Sequence, residues 1–408
     1  YGKYLSAAFG SALIGCIYAM VDTAVVGQYQ GPQGTAALAV VAPCWNLIYS
    51  LGLLLGAGGG VIFSTCRGSG TGDGSEQQYF TASVIGAAVL AVLTWLGIWC
   101  FETPVLTFFG ADAELLPLAQ TYLKPVKFVF PLFLVNEMLM FFLQTDGNPG
   151  RATLAILSGG IFNIFGDIFF VFGCDMGIFG AGLATAIGAA ISTCVMLTHF
   201  LSRKNTLCLV KPTHLLHRLR EVFATGFSTF FVDMAMGILT VLFNRQIMKY
   251  LGANALSVYG PIIQVSTFAQ CCAYSVGQAA QPIIATNFGA GKGGRIRQVL
   301  RLALGTSASF GVFWTALSVA CPKLYIRIFM VPTEEILVIA PGIIRTYAMS
   351  FLLLPFNIFS TYYFQAIMKP KAAFVVSVAR GLVISGSLIL VLPRIAGGNA
   401  LWLTMPIT

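Results

Sequence analysis

Residues 152–201 read ATLAILSGGIFNIFGDIFFVFGCDMGIFGAGLATAIGAAISTCVMLTHFL, two long apolar runs parted by a short turn, with no lysine or arginine in either. Hydrocarbon about 30 Å thick takes roughly 20 residues of helix to cross. Backbone amides in lipid must be paired within the segment or by neighbouring helices, so runs of this length are helices. Working outward, the pattern recurs at 4–26, 36–63, 79–101, 121–144, 220–250, 255–286, 298–321, 338–367 and 372–393. A further run begins near Asn399 and stops with the sequence at Thr408. The expected fold is an all-α membrane protein of twelve transmembrane helices, the last one truncated. Strand-like alternation is absent, which argues against an outer-membrane barrel. No cleavable leader is expected, because the chain enters directly on an apolar run.

Composition agrees: of 408 residues, 57% are apolar and only 9% charged, far from the soluble average of roughly a quarter charged. The net charge of +9 would suit nucleic acid in a soluble protein. Here the basic residues gather in alternate loops, as at Arg203, Lys204, Lys211 and Arg218, and again at Lys292, Arg295 and Arg297. That bias places these loops and both termini in the cytoplasm of a cell-membrane protein, with no nucleic-acid partner. The ten cysteines lack CxxC spacing and read as packing residues. His199, His214 and His217 read as groups on a solvated face. Residues Gly289–Gly294 spell GAGKGG, but they follow a membrane helix rather than a strand and do not form a nucleotide loop.

Shifting the chain by about 221 residues brings Thr65 onto Thr286, Gly68 onto Gly289, Asn136 onto Asn357, Gln144 onto Gln365 and Pro149 onto Pro370. Each repeat holds an even number of helices, so the halves enter from one side and are related by an axis along the membrane normal. Three units are expected: an N-terminal lobe at 1–201, a cytoplasmic linker at 202–219 and a C-terminal lobe at 220–408. A cleft between two such lobes is the geometry of a carrier. Its expected lining includes Asp233, Asn357, Glu137, Gln144 and Gln264.

Four carboxylates, Asp22, Glu137, Asp167 and Asp233, fall well inside apolar runs, where each costs several kcal/mol unless solvated or paired. At 1.5 Å per residue, Asp22, Asp167 and Thr185 come to one depth in the outer half of the membrane. Tyr18 and Asn163 each lie four residues before an aspartate, on the same helix face. Two aspartates held close would raise one another's proton affinity, and the same oxygens suit sodium; either ion fits. The repeat puts Thr240, Ile384 and Leu388 at the corresponding places of the second lobe, so the acidic cluster belongs to the first lobe alone.

Four segments carry a family resemblance: YAMVDTAVVGQYQG at Tyr18–Gly31, LQTDGNPGRATLAI at Leu143–Ile156, FNIFGDIFFVF at Phe162–Phe172 and MGIFGAGLATAIG at Met176–Gly188. Together they resemble the multidrug and toxic compound extrusion (MATE) family. The resemblance implies a non-enzymatic, cofactor-free antiporter that exports small amphipathic, often cationic, organic compounds against protons or sodium. It also implies a cation site at Asp22, Asn163 and Asp167, with Tyr18 and Thr185 beside it. One branch of the family adds carboxylates on the seventh and tenth helices. Asp233 matches the first, but Asn357 stands where the second would be, which favours coupling in the first lobe. A monomer is expected. The alternative is a lipid-linked oligosaccharide flippase of the same superfamily, which would need several basic residues within cleft-lining helices. Arg380 is nearly the only one deep in a helix.

Overall fold

The structure, a computed structural model, describes residues 1–70, 74–109, 111, 113–329 and 334–408. Among the described residues it is all helix and turn, without a strand. The long helices are α1 (Gly2–Gly31), α2 (Ala36–Ser69), α3 (Ser75–Phe108), α4 (Leu115–Thr145), α5 (Pro149–Gly173), α6 (Gly177–Leu201) and α7 (Leu215–Tyr250). They continue with α8 (Gly252–Gly289), α9 (Gly293–Ala320), α10 (Glu334–Ala366) and α11 (Pro370–Ala396). A closing turn at Gly398–Leu403 leads into the short α12 (Thr404–Ile407).

Ten of these helices are long and apolar enough to cross a membrane; α8 is of similar length but is not among them. Its Gln264, Gln270, Gln278 and Gln281 dilute its hydropathy, because much of it faces protein rather than lipid. Lipid-facing surface is recognisable elsewhere by large apolar side chains left open in the middle of spans, such as Leu93, Phe165 and Val312. The first turn of α7 starts at Leu215, inside the stretch read as linker from sequence.

Helices α1 and α2 are separate spans that fold back on each other through a sharp bend at Gly31, whose φ of 70° is open to glycine and costly for other residues; Tyr4 at the start of α1 comes within electrostatic reach of Arg67 at the end of α2. Small residues then set how closely the helices approach. A Cβ on Gly52 would lie 2.4 Å from Cβ of Glu137, and one on Gly56 would lie 2.8 Å from the Phe141 ring, which fastens α2 to α4. In α5 and α6, Gly159 and Gly188 cross reciprocally, each within 2.7 Å of the other's carbonyl oxygen if given a Cβ. Without hydrophobic drive between helices in lipid, such close approaches provide the packing contact.

The linker is anchored at its start by a polar knot on Asp146, at the α4–α5 turn. The Asp146 carboxylate accepts from Arg67 Nη1 at 3.0 Å, His199 Nε2 at 2.7 Å, the Thr206 amide at 3.0 Å and the Thr206 hydroxyl. Asn148 Nδ2 meets the other ring nitrogen of His199 at 3.2 Å, so an imidazole with its proton on Nε2 satisfies both contacts. His199 is fully buried, which corrects its reading as a residue on a solvated face; the run it ends is capped by protein, not water. Burial alone would push the Asp146 carboxyl up, but the bonds from Thr206, His199 and Arg67 together outweigh it and hold the group below its ordinary value. A depressed carboxyl stabilises the fold above the unfolded-state pKa of about 4, and that stabilisation is lost as the pH falls through the folded value. Thermal unfolding in detergent is therefore expected to show a midpoint that drops below about pH 4. In Asp146→Asn the midpoint should be lower at neutral pH, and that part of the acid-dependent drop should be absent.

Candidate ion site and cleft

The α5–α6 crossing at Gly159 and Gly188 determines what meets one turn further on. Asn163 follows Gly159 by four residues and Thr185 precedes Gly188 by three, and Asn163 Nδ2 donates to Thr185 Oγ1 at 3.1 Å. The same amide reaches Asp167 Oδ1, one turn along α5, at 3.5 Å. From the other side α4 approaches α6 closely, since a Cβ on Gly182 would lie 2.2 Å from the Tyr122 carbonyl oxygen. The Tyr122 hydroxyl thereby comes 3.5 Å from Thr185 Oγ1 and donates to Asp22 Oδ2 at 3.2 Å. Four helices thus deliver a continuous chain from Asp22 through Tyr122, Thr185 and Asn163 to Asp167.

This chain is buried and incompletely satisfied. Asp167 is 0% exposed and Asn163 3%. One oxygen each of Asp22, Asn163 and Asp167 is buried with no hydrogen-bond partner among the described residues. A buried oxygen left unpaired is costly, and three acceptors together are what a proton or a hard cation would satisfy. Tyr18 is near but less engaged: it packs along Gly160, within electrostatic reach of both Asp22 and Glu137. Tyr122 did not emerge from the sequence reading. A tyrosine near the outer end of an apolar run resembles an ordinary interfacial anchor, and its inward aim depends on the Gly182 contact.

A second polar group lies where the lobes meet. Along α2, the stripe Ser50, Leu54 and Gly58 faces α7. Leu54 O lies 1.9 Å from where a Cβ on Gly226 would be, and Val222 O 2.2 Å from one on Gly58. One turn further from the linker, Ser50 Oγ donates to Asp233. Beyond that bond the helices part. Ala42, Asn46 and Tyr49 of α2 are exposed at helical spacing, and so are Gly260, Gln264 and Thr267 of α8, their counterparts in the repeat. Residues 52–64 of α2 and 275–282 of α8, on the linker side, are buried throughout. The cleft is open away from the linker and closed towards it, with the Ser50–Asp233 bond at its floor.

Glu137 lies close to Asp233 and Tyr49 at this floor, with its Oε2 buried and unpartnered among the described residues. Gln264 is on the open α8 face, and Asn357 is half-buried on α10. Gln144 is 4% exposed and faces Gln281 and Pro282 beneath the floor, so it does not line the open cleft in this conformation.

The MatE family profile matches residues 7–169 and 217–388, the greater part of both lobes. The chain belongs to the MATE family. Multidrug export protein MepA of Staphylococcus aureus is 24% identical over 379 residues, spanning 91% of this chain and 82% of that protein. The protein of the same name from Staphylococcus saprophyticus is 25% identical over 300 residues, spanning 72% of this chain and 65% of its own. Among solved structures, one reported as the outward-facing conformation of a multidrug resistance MATE family transporter superposes with a TM-score of 0.91 at 18% identity, covering 99% of this chain and 91% of that one. A Pyrococcus furiosus transporter of the MOP superfamily gives 0.90 at 18% identity, with the same coverage. These likenesses show the two-lobed MATE fold and a multidrug efflux transporter family, and non-enzymatic relatives.

Proposed function

We propose that this MATE protein is a secondary antiporter that exports small, amphipathic, cationic organic compounds in exchange for protons or sodium. It works as a monomer in the cell membrane, with both termini and the linker in the cytoplasm. The open face of the cleft is then the outer face. Lobes 1–201 and 220–408 rock about the segment 202–219. The observation that carries the reading is the set of three unpartnered buried oxygens on Asp22, Asn163 and Asp167, joined through Thr185 and Tyr122. Loading a cation there satisfies these groups and biases one lobe conformation; substrate in the cleft favours the discharged one. Exchange follows from that difference in affinity between states.

Glu137 and Asp233 at the floor supply the negative field for a cationic substrate, and Tyr49 and Gln264 offer it adaptable contacts. Proton and sodium remain the two candidate ions, since carboxylate, amide and hydroxyl oxygens suit both. Efflux of a fluorescent organic cation from proteoliposomes, under separately imposed proton and sodium gradients, tests the reading. One gradient is expected to drive efflux against a concentration difference; no response to either would refute antiport.

A further inference from the structure

The second lobe lacks the acidic cluster of the first, and besides Asp233 it carries a cation, Arg380, well inside a helix. Arg380 lies on α11 within a π-helical turn, Ala379–Ile384, of the sort often retained for function. Its guanidinium lines a crevice with Thr229, Tyr274, Thr361 and Tyr362, completed by Val232 and Ile358. No carboxylate is part of that lining, and Arg380 forms none of the salt bridges among the described residues.

The other polar groups are donors in waiting. Tyr362 is 2% exposed, and its hydroxyl, with Gln278 close by, meets the full geometry of a hydrogen bond with no group among the described residues. Thr229 Oγ1 accepts from Gln365 Nε2 at 2.6 Å, which leaves its own proton free to donate. Thr361 Oγ1 shares a 3.3 Å contact with Ser377, in which either can be the donor. A guanidinium surrounded by hydroxyls and free of carboxylates is the inverse of a cation site.

The crevice adjoins the cleft floor. Tyr274 is within electrostatic reach of both Arg380 and Asp233, and Tyr49, 41% exposed in the cleft, feels Tyr274 and Tyr362. We infer that Arg380 and Tyr362 form an anionic subsite beside Asp233 and Glu137, so that the protein accepts zwitterionic amphiphiles whose carboxylate is held by Arg380 and whose cationic group is held by the acidic floor. This rests on the reading of the cleft as the substrate path, and not on which ion is coupled.

Fluorescence anisotropy of rhodamine B and of its ethyl ester with the purified full chain in detergent tests it, since the two dyes differ only in the free carboxylate. A charge-assisted hydrogen bond in a half-buried site gives a preference of about tenfold or more for rhodamine B. Arg380→Gln should erase that preference and leave ester binding within about twofold, with Arg380→Lys recovering part of it. Tyr362→Phe, which removes only a hydroxyl, should lower rhodamine B binding several-fold. The preference should persist when gluconate replaces chloride and when chloride is restored. Equal binding of both dyes by the native protein, no binding of either, or parallel loss of both in Arg380→Gln and Tyr362→Phe, overturns the inference. Loss of the preference in chloride alone also overturns it, by assigning the crevice to a small inorganic anion. Because no gradient is imposed, a failure of antiport leaves the result readable.

Discussion

Asp22→Asn and Asp167→Asn are each expected to lower gradient-driven efflux by roughly a hundredfold, near the upper end of ordinary coupling between sites. Either substitution keeps the shape and hydrogen-bonding capacity of the group but removes the charge that a proton or sodium must neutralise. Asp167 is the more severe position. It is fully buried, its one contact to Asn163 is long at 3.5 Å, and its second oxygen has no partner, so little else in the fold depends on it. Substrate binding in detergent should survive within a few-fold, because the cleft floor at Glu137 and Asp233 is untouched. Retained efflux in both variants would show that the first-lobe cluster is packing and not a coupling site.

The second large effect concerns the closed side of the cleft. The repeat pairs Thr65 with Thr286 and Gly68 with Gly289, and the structure brings these four together across the lobe boundary. A Cβ on Gly68 would lie 1.9 Å from the Thr286 carbonyl oxygen, and one on Gly289 would lie 2.0 Å from that of Thr65. Two symmetric contacts of this kind form a seal that exists only while the lobes are together on the linker side. Gly68→Ala or Gly289→Ala should cost that closed state about 1–3 kcal/mol, as overpacking does, and shift the population towards a linker-side opening by roughly tenfold or more. Hydrogen exchange is then expected to accelerate across residues 52–64 and 275–289. Gly305→Ala, with nothing within 4 Å of the added methyl, is the control that should change neither exchange nor efflux. Unchanged exchange in both seal variants would mean that the lobes do not part there.

Much of this architecture was legible in the sequence because lipid imposes a simple rule. Long apolar runs had to be helices, and carboxylates inside them stood out against their surroundings. Counting residues placed Asp22, Asp167 and Thr185 at one depth, and the structure links them through Tyr122 and Asn163. Tyr122 itself was hidden because depth does not reveal which way a side chain turns. Its aim follows from the Gly182 crossing, a contact between helices far apart in sequence. The Ser50–Asp233 bond was invisible for a related reason: it exists only once the two lobes are docked. His199 was misread because a polar residue at a helix end usually meets water, whereas here Asp146 and Asn148 enclose it. The internal repeat did more than set the topology. It identified the Thr65/Gly68 and Thr286/Gly289 pairs before any contact between them was known.

Ion release on substrate binding, measured with the purified protein in weakly buffered detergent, tests the central claim most directly. Addition of a transported organic cation should expel protons or bound sodium from the native chain, and Asp22→Asn combined with Asp167→Asn should abolish the release. Release of the same size from the doubly substituted protein would place the coupling ion elsewhere.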